Sequence, residues 1–319
     1  MFETIPSVDL IDFTSGNATR KSDFVKSLGS AFNEIGFVAV KNHGLSDEQS
    51  DKLYQAFKHF FELSEEAKAQ YDIPGLAGQR GYTGKRKENA KGSKVADLKE
   101  FFHVGQENRP KEMDMSRYYP DNIWPKEVPE LKNISIKAFK ILENTGIQLL
   151  RAIALFLDLP ELYFDEKVKT GNSILRAVHY FPITDPSDLK ADAVRAGAHE
   201  DINLITLLMG ASAEGLEILR KDLVWVPVTA LPDQIIVNVG DMLARLTNDY
   251  LKSTTHKVIN PSDEKLMTPR YSIPFFLHPR SDMDLTCLEN CISIEQPKKY
   301  SDINAGEFLD QRLREIGLK

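Results

Sequence analysis

The 319-residue chain reads as a mainly β protein with flanking helices. Two patterns predict this class. The first half carries amphipathic helical stretches. After Gly171 the pattern changes to short β-like runs separated by turn residues: "SILRAVHYF", "LITLLM", "LEIL", "VWVPV", "QIIVNV" and "RYSIPFFL". Runs of this length and spacing point to an antiparallel sandwich or a small barrel. No internal repeat or low-complexity tract occurs, which excludes a solenoid.

The elements follow in chain order. "SDFVKSLGSAFNEIG" places Phe24, Leu28, Phe32 and Ile35 at helical intervals, and Gly36 closes the helix before the strand-like "FVAV". "SDEQSDKLYQAFKHFFEL" opens with Ser46 and Gln49 at capping-box spacing and continues with an apolar face at Leu53, Phe57 and Phe60. Residues 76–94, rich in glycine and lysine, read as an exposed, lid-like loop. Its cations form a solvated surface or attract an acidic substrate. A long bracing helix carries Ala138, Leu142, Leu149 and Ile153 on one face, and Pro160 stops it. Residues 282–319 read as a polar extension whose final helix, "AGEFLDQRLREIG", packs outside the core and contributes to the substrate pocket.

Composition narrows the function. With 42% apolar and 27% charged residues the chain has the make-up of a folded, water-soluble protein. A formal charge of -7 argues against a nucleic-acid surface, which needs a concentrated positive face. Nothing approaches membrane-spanning length, and "MFETIPSVDL" lacks the basic end and apolar stretch of a secretory signal, so the expectation is a cytoplasmic protein. Cys287 and Cys291 are too few for a four-thiolate zinc site and read as reduced, packed thiols.

The chemistry concentrates in the second half. In "AGAHEDINLITLLMG", His199 and Asp201 sit at i and i+2, so on a strand they share a face while Glu200 turns away. His256, in "TTHKVIN", lies 55 positions beyond Asp201 in another β-like setting. Two imidazoles and a carboxylate leave coordination positions open, the facial arrangement that suits non-haem Fe(II) working with O₂. Arg270 and Ser272 in "PRYSIPFF" again share a face, where a guanidinium can grip a carboxylate through two hydrogen bonds and a hydroxyl can add a third. Ile202, Leu204 and Leu246 read as β core, and His43, His59, His103 and His278 as structural or surface residues.

The order His199-x-Asp201, His256, Arg270-x-Ser272 resembles the Fe(II)- and 2-oxoglutarate-dependent oxygenase superfamily, and more closely its isopenicillin N synthase-like branch. Matches at "IPSVDL", "GFVAVKNHGL", "RGYTG", "DLKEFFHVG" and "VNVGDMLARLTND" extend the resemblance over most of the chain. It implies a distorted jelly-roll, or double-stranded β-helix, with N-terminal helices packed against it. Residues 1–165 would then form an N-terminal α/β region, 166–281 the catalytic core and 282–319 an extension, together one compact unit. The resemblance makes His199, Asp201 and His256 the iron ligands and Arg270 with Ser272 the clasp for 2-oxoglutarate. Tyr180 in "VHYFP" resembles the tyrosine that assists this clasp, unless Phe181 takes that position. The implied activity couples oxidative decarboxylation of 2-oxoglutarate to C–H oxidation of a small molecule: hydroxylation, desaturation or cyclisation. Alternatives are an Fe(II) oxidase of the isopenicillin N synthase type that uses no 2-oxoglutarate, a zinc hydrolase, and a β-barrel binding module. Neither the prime substrate nor the oligomeric state has a signature in the sequence.

Overall fold

A computed structural model describes residues 5–85, 87, 97–108, 119–183, 194–209, 215–228, 231, 233–260 and 266–316. Its strands are β1 (Ser7–Asp9), β2 (Phe37–Lys41), β3 (Gly81–Thr83), β4 (Glu100–Gly105), β5 (Ile174–Tyr180), β6 (Ala196–His199), β7 (Ile205–Met209), β8 (Leu216–Leu219), β9 (Trp225–Pro227), β10 (Gln234–Val239), β11 (His256–Val258) and β12 (Arg270–Leu277). Its helices are α1 (Leu10–Thr14), α2 (Ala18–Glu34), α3 (Asp47–Phe61), α4 (Glu65–Ala69), α5 (Glu130–Phe156), α6 (Asp165–Val168), α7 (Asp241–Leu246) and α8 (Ala305–Glu315). An eight-stranded sheet runs β1-β2-β10-β7-β12-β5-β4-β3, and a four-stranded sheet runs β6-β11-β8-β9. This is the double-stranded β-helix with helices on its outer face.

Strand alternation explains the layering. Along β12, Ile273, Phe275 and Leu277 join the core beneath the helices, while Arg270, Ser272, Pro274 and Phe276 face the space between the two sheets. Phe139 of α5 meets Phe275 edge-on at 4.9 Å, and Gly146 lets the helix come close enough that a Cβ there would lie 2.9 Å from Leu277. The amphipathic face of α5 therefore seats the strand whose other face carries Arg270 and Ser272.

The first helix motif is as expected. Ser46 accepts from the Gln49 backbone N–H and the Gln49 side chain accepts from the Ser46 N–H, completing the capping box at the start of α3.

Three expectations need correction. Within 76–94, Arg80 is buried and Gly81–Thr83 is a buried strand paired with β4, so this part is sheet edge; residues 86 and 88–94 lie outside the described ones. Residue alternation is too short in a three-residue strand to be visible among glycines. The C-terminal helix does not sit outside the core: Phe308, Leu309 and Leu313 are buried in the main cluster, because α8 is amphipathic and offers them as one stripe. Leu246 is buried in helix α7 rather than in a strand, and Ile202 lines a cavity; Leu204 is core.

A polar cluster on the outer sheet face joins residues from the separate stretches "RGYTG", "DLKEFFHVG" and "VHYFP", whose contact the sequence did not reveal. Glu100, fully buried on β4, receives Lys68 Nζ at 2.9 Å, hydrogen-bonds His179 Nδ1 at 2.7 Å and accepts from Tyr82 Oη. Tyr271 stacks on His179 at 4.7 Å. Removing one partner of a buried ion pair strands the other charge in an apolar setting. Lys68→Met is expected to destabilise the fold by about 3–5 kcal/mol in urea unfolding. Lys52→Met, whose partner Glu48 is exposed, is expected to leave the midpoint unchanged.

Candidate active site

The local backbone brings the sequence-predicted triad together. β6 and β11 pair antiparallel with His199 directly opposite His256, and the two rings lie 4.4 Å apart. Asp201 follows β6 by two residues. His199 Nε2 and His256 Nε2 lie 4.0 and 3.8 Å from Asp201 Oδ1, and one ligand atom from each of the three residues falls within 4.8 Å of the others. This is the one such cluster of histidine, cysteine and acidic side chains among the described residues.

Hydrogen bonds aim each donor atom inward. His199 Nδ1 donates to Gly197 O at 2.7 Å and His256 Nδ1 to Thr254 O at 3.1 Å, which leaves both Nε2 lone pairs for the site. Asp201 Oδ2 accepts from Thr206 Oγ1 at 2.6 Å and Asn238 Nδ2 at 2.8 Å, which leaves Oδ1. Asn203 in turn donates to Thr206 at 3.0 Å. Asn238 lies in the quoted stretch "VNVGDMLARLTND" and Asn203 and Thr206 in "AGAHEDINLITLLMG", but only their positions on β10, beside Asp201 and on β7 reveal the supporting role.

Electrostatics agree with ligand roles. Burial opposes charge on Asp201, yet His256, His199 and the two hydrogen bonds hold its carboxyl below the usual range. Burial, with His256 assisting and Asp201 opposing, pushes His199 down to about 4. An ionised carboxylate beside a neutral imidazole is the donor state a divalent cation requires. Two nitrogens and one anionic oxygen, with the outer nitrogens already engaged, fit Fe(II).

Arg270 is 1% exposed, and with Ser272, Tyr180, His199, Asp201 and His256 it lines one cavity between the sheets. The Arg270 guanidinium lies 4.9 Å from the centre of the Tyr180 ring, its cross-strand neighbour on β5. Phe181 belongs to a separate cluster with Leu98 and Ile183. Tyr180, not Phe181, therefore faces the guanidinium.

A second cavity, of about 230 Å³, opens on the other side of His199 and Asp201. Gln79, His103, Arg176, Phe276 and His278 line it, and Leu309 and Leu313 of α8 form its outer wall. His103 and His278 are thus cavity residues at 1% and 5% exposure, whereas His59 is exposed and His43 half-buried. A lone histidine carries no spacing signal, so the sequence could not separate these cases.

An eight-on-four β-sandwich with two imidazoles and a carboxylate converging inside it is the architecture of a mononuclear non-haem iron oxygenase. Comparison with known proteins narrows the class. Residues 171–279 match the 2OG-Fe(II) oxygenase superfamily, and residues 5–127 match the family described as non-haem dioxygenase in morphine synthesis N-terminal. The chain is 31% identical to the 2-oxoglutarate-Fe(II) type oxidoreductase ppzD of Metarhizium rileyi, covering 97% of this chain and 90% of that one. A structure assigned to the 2OG-Fe(II) oxygenase family from Caulobacter crescentus superposes with a TM-score of 0.86 at 41% identity, covering 98% and 99% of the two chains. A full-length Neurospora crassa protein, solved in complex with alpha-KG and thymine, superposes with a TM-score of 0.85 at 29% identity, covering 97% and 96%. The chain belongs to the 2OG-Fe(II) oxygenase superfamily. It is an Fe(II)- and 2-oxoglutarate-dependent dioxygenase that couples oxidative decarboxylation of 2-oxoglutarate to oxidation of a small-molecule substrate with O₂. No helix among the described residues is long and apolar enough to cross a membrane.

Burial also tunes His278. It pushes the imidazole down to about 4, with Asp201 opposing and Arg80 assisting. An unfolded histidine titrates near 6.5, so between these values the unfolded chain binds more protons and stability falls as the pH falls. Urea unfolding of the wild type is expected to lose about 2 kcal/mol more than His278→Gln between about pH 7.5 and about pH 5. Equal losses in the two proteins would contradict a buried, neutral His278.

Proposed function

We propose that His199, Asp201 and His256 hold the Fe(II), and that Arg270 and Ser272, with Tyr180 against the guanidinium, hold the distal carboxylate of 2-oxoglutarate. The observation that carries this reading is one cavity lined at once by the three converging side chains and by a buried arginine-serine pair. Bound Fe(II) supplies the activation of O₂ and the oxidising power directed at the substrate C–H bond.

The protein's own work is positional. Arg270 offers a planar, permanently charged fork, and Ser272 on the same strand face offers a hydroxyl. Thr206 and Asn238 keep Asp201 Oδ2 occupied, so Oδ1 remains the coordinating atom. Gly197 and Thr254 carbonyls lock the tautomers of the two imidazoles. Phe276, Leu309 and Leu313 supply apolar surface to the second cavity, against which a substrate would displace water. No side chain has to act as a general base.

The second cavity takes the prime substrate. At about 230 Å³ it falls below the ~300 Å³ lower end for drug-sized ligands, which favours a compact molecule of the size of the thymine bound by the Neurospora protein. The N-terminal α/β region (1–165), the core (166–281) and the extension (282–319) work as one unit: β1 to β4 lie in the same sheet as β5, β7, β10 and β12, and α8 walls the cavity. A cytoplasmic setting belongs to this reading and is consistent with the free thiols of Cys287 and Cys291.

Protein purified without oxygen and titrated with Fe(II) is expected to bind one equivalent and to release succinate from 2-oxoglutarate. His199→Ala is expected to lose both properties; unchanged turnover would remove it from the metal site. Arg270→Ala is expected to raise the KM for 2-oxoglutarate roughly 10- to 100-fold, the value of a charge-assisted pair. An unaltered KM would place the co-substrate elsewhere.

A further inference from the structure

We infer that His278, together with the side-chain amide of Gln79, reads the polar edge of the prime substrate, and that this substrate is a small uncharged molecule presenting both a hydrogen-bond donor and an acceptor, the chemistry of a cyclic amide or imide. The inference rests on the assignment of the second cavity to the prime substrate made above.

The alternation of β12 carries past its end. Arg270, Ser272, Pro274 and Phe276 face the interior in turn, and His278, two residues after Phe276, continues that face into the second cavity. Phe276 lines both cavities. A single strand face thereby meets the co-substrate at one end and the prime substrate at the other.

The backbone at His278 is held on both sides. Its N–H donates to Ser173 Oγ at 3.2 Å, and its carbonyl accepts from the same hydroxyl at 3.3 Å. Ser173 is fully buried. Gly171 sits so close that a Cβ there would lie 2.2 Å from the His278 carbonyl oxygen. The position of the His278 backbone, and with it the point from which the ring projects, is thereby fixed.

His278 is only 5% exposed, yet among the described residues its ring makes no side-chain hydrogen bond. Buried polar groups are nearly always satisfied, by protein or by ligand. Gln79 lines the same cavity, and its Oε1 is buried without a hydrogen-bond partner. A neutral imidazole has one N–H and one lone pair, and a carboxamide has both kinds of group. Their complement is a ligand edge with at least one N–H or O–H and one carbonyl or ring nitrogen. Among the charged groups of this wall, Lys99 Nζ is 2.7 Å from Asp97, and Arg312 pairs with Asp241 and Glu315 at 3.0 and 2.9 Å. Glu200 accepts from Thr255 Oγ1, Asp201 is held by Thr206 and Asn238, and Arg176 Nε donates to the imidazole of His103 at 2.5 Å. With the acidic groups of the wall held by hydrogen bonds or cations of the protein itself, His278 and Gln79 beside Leu309, Leu313 and Ile202 suit a neutral molecule better than an ion.

Thymine and 2-pyrrolidone, a cyclic imide and a cyclic amide, are suitable probes, with benzoate as the anionic control. Full-length protein carrying Zn(II) as a redox-silent stand-in and 2-oxoglutarate is titrated calorimetrically with each. Histidine ring ¹⁵N resonances are followed in parallel, that of His278 being assigned by its loss in His278→Gln. At least one neutral probe is expected to bind more tightly than benzoate and to shift the His278 resonance. His278→Leu is expected to weaken that probe about 10-fold or more, and His278→Asn to recover part of the loss. Absence of binding by both neutral probes, tighter binding of benzoate, or an unmoved His278 resonance in the wild type would overturn the inference. The wild-type resonance decides the matter if His278→Leu does not fold. Failure of 2-oxoglutarate itself to bind the wild type would instead remove the co-substrate reading on which the cavity assignment depends.

Discussion

One carboxylate, held ionised between two imidazoles in a buried site, sets the terms for the rest of the structure. A charge in such a place is expensive unless hydrogen bonds and an opposite charge accompany it. The fold meets half of that demand with Thr206 and Asn238 on Asp201 Oδ2. Oδ1 is left facing both Nε2 atoms, at 4.0 and 3.8 Å, and under the proposed assignment a cation there would meet the other half. Sheet pairing makes this possible: His199 and His256 face each other across a two-strand ladder, so their separation is a matter of β geometry and not of loop chance.

The second organising element is β12. Its outward residues are apolar and pack under α5, and this anchoring lets its inward residues be polar and chemically demanding. Arg270 is almost wholly enclosed, which strengthens its attraction for a carboxylate in a low-dielectric setting. Further along the same face the character shifts from charged to aromatic and then to neutral imidazole. Under the proposed assignment, that gradient would separate a dianionic co-substrate from an uncharged partner within one continuous interior. On the opposite face of this sheet the Glu100 cluster ties α4, β3, β4 and β5 together, with Tyr271 of β12 stacked on its histidine.

Much of this could be read before the structure. The helix of Phe24, Leu28 and Phe32, the capping box at Ser46 and the bracing helix before Pro160 follow from periodicity and capping chemistry that act over a few residues. The Arg270-Ser272 pair was legible because i, i+2 spacing on a strand maps directly onto a shared face. Asp201, by contrast, lies just past the end of β6 and His256 is 55 positions on, so the triad was legible from the order of its residues and the family resemblance. What escaped was non-local. β3 is three residues long, too short for a pattern to show. His103 and His278 have no partner nearby in sequence, and only the cavity distinguishes them from exposed His59. Thr206, Asn238 and the Glu100–His179 pair acquire meaning through cross-strand contact, which a one-dimensional reading does not contain. The C-terminal helix looked peripheral because its sequence is rich in charged residues, although its apolar stripe walls the second cavity.

The most direct test of the central claim is X-ray absorption at the iron edge of protein loaded with Fe(II) without oxygen, for the wild type and for Asp201→Asn. The account expects light nitrogen and oxygen scatterers with two imidazoles, no sulfur, and loss of bound iron in the variant. A sulfur ligand from Cys287 or Cys291, a single imidazole, or iron held equally well by Asp201→Asn would contradict it.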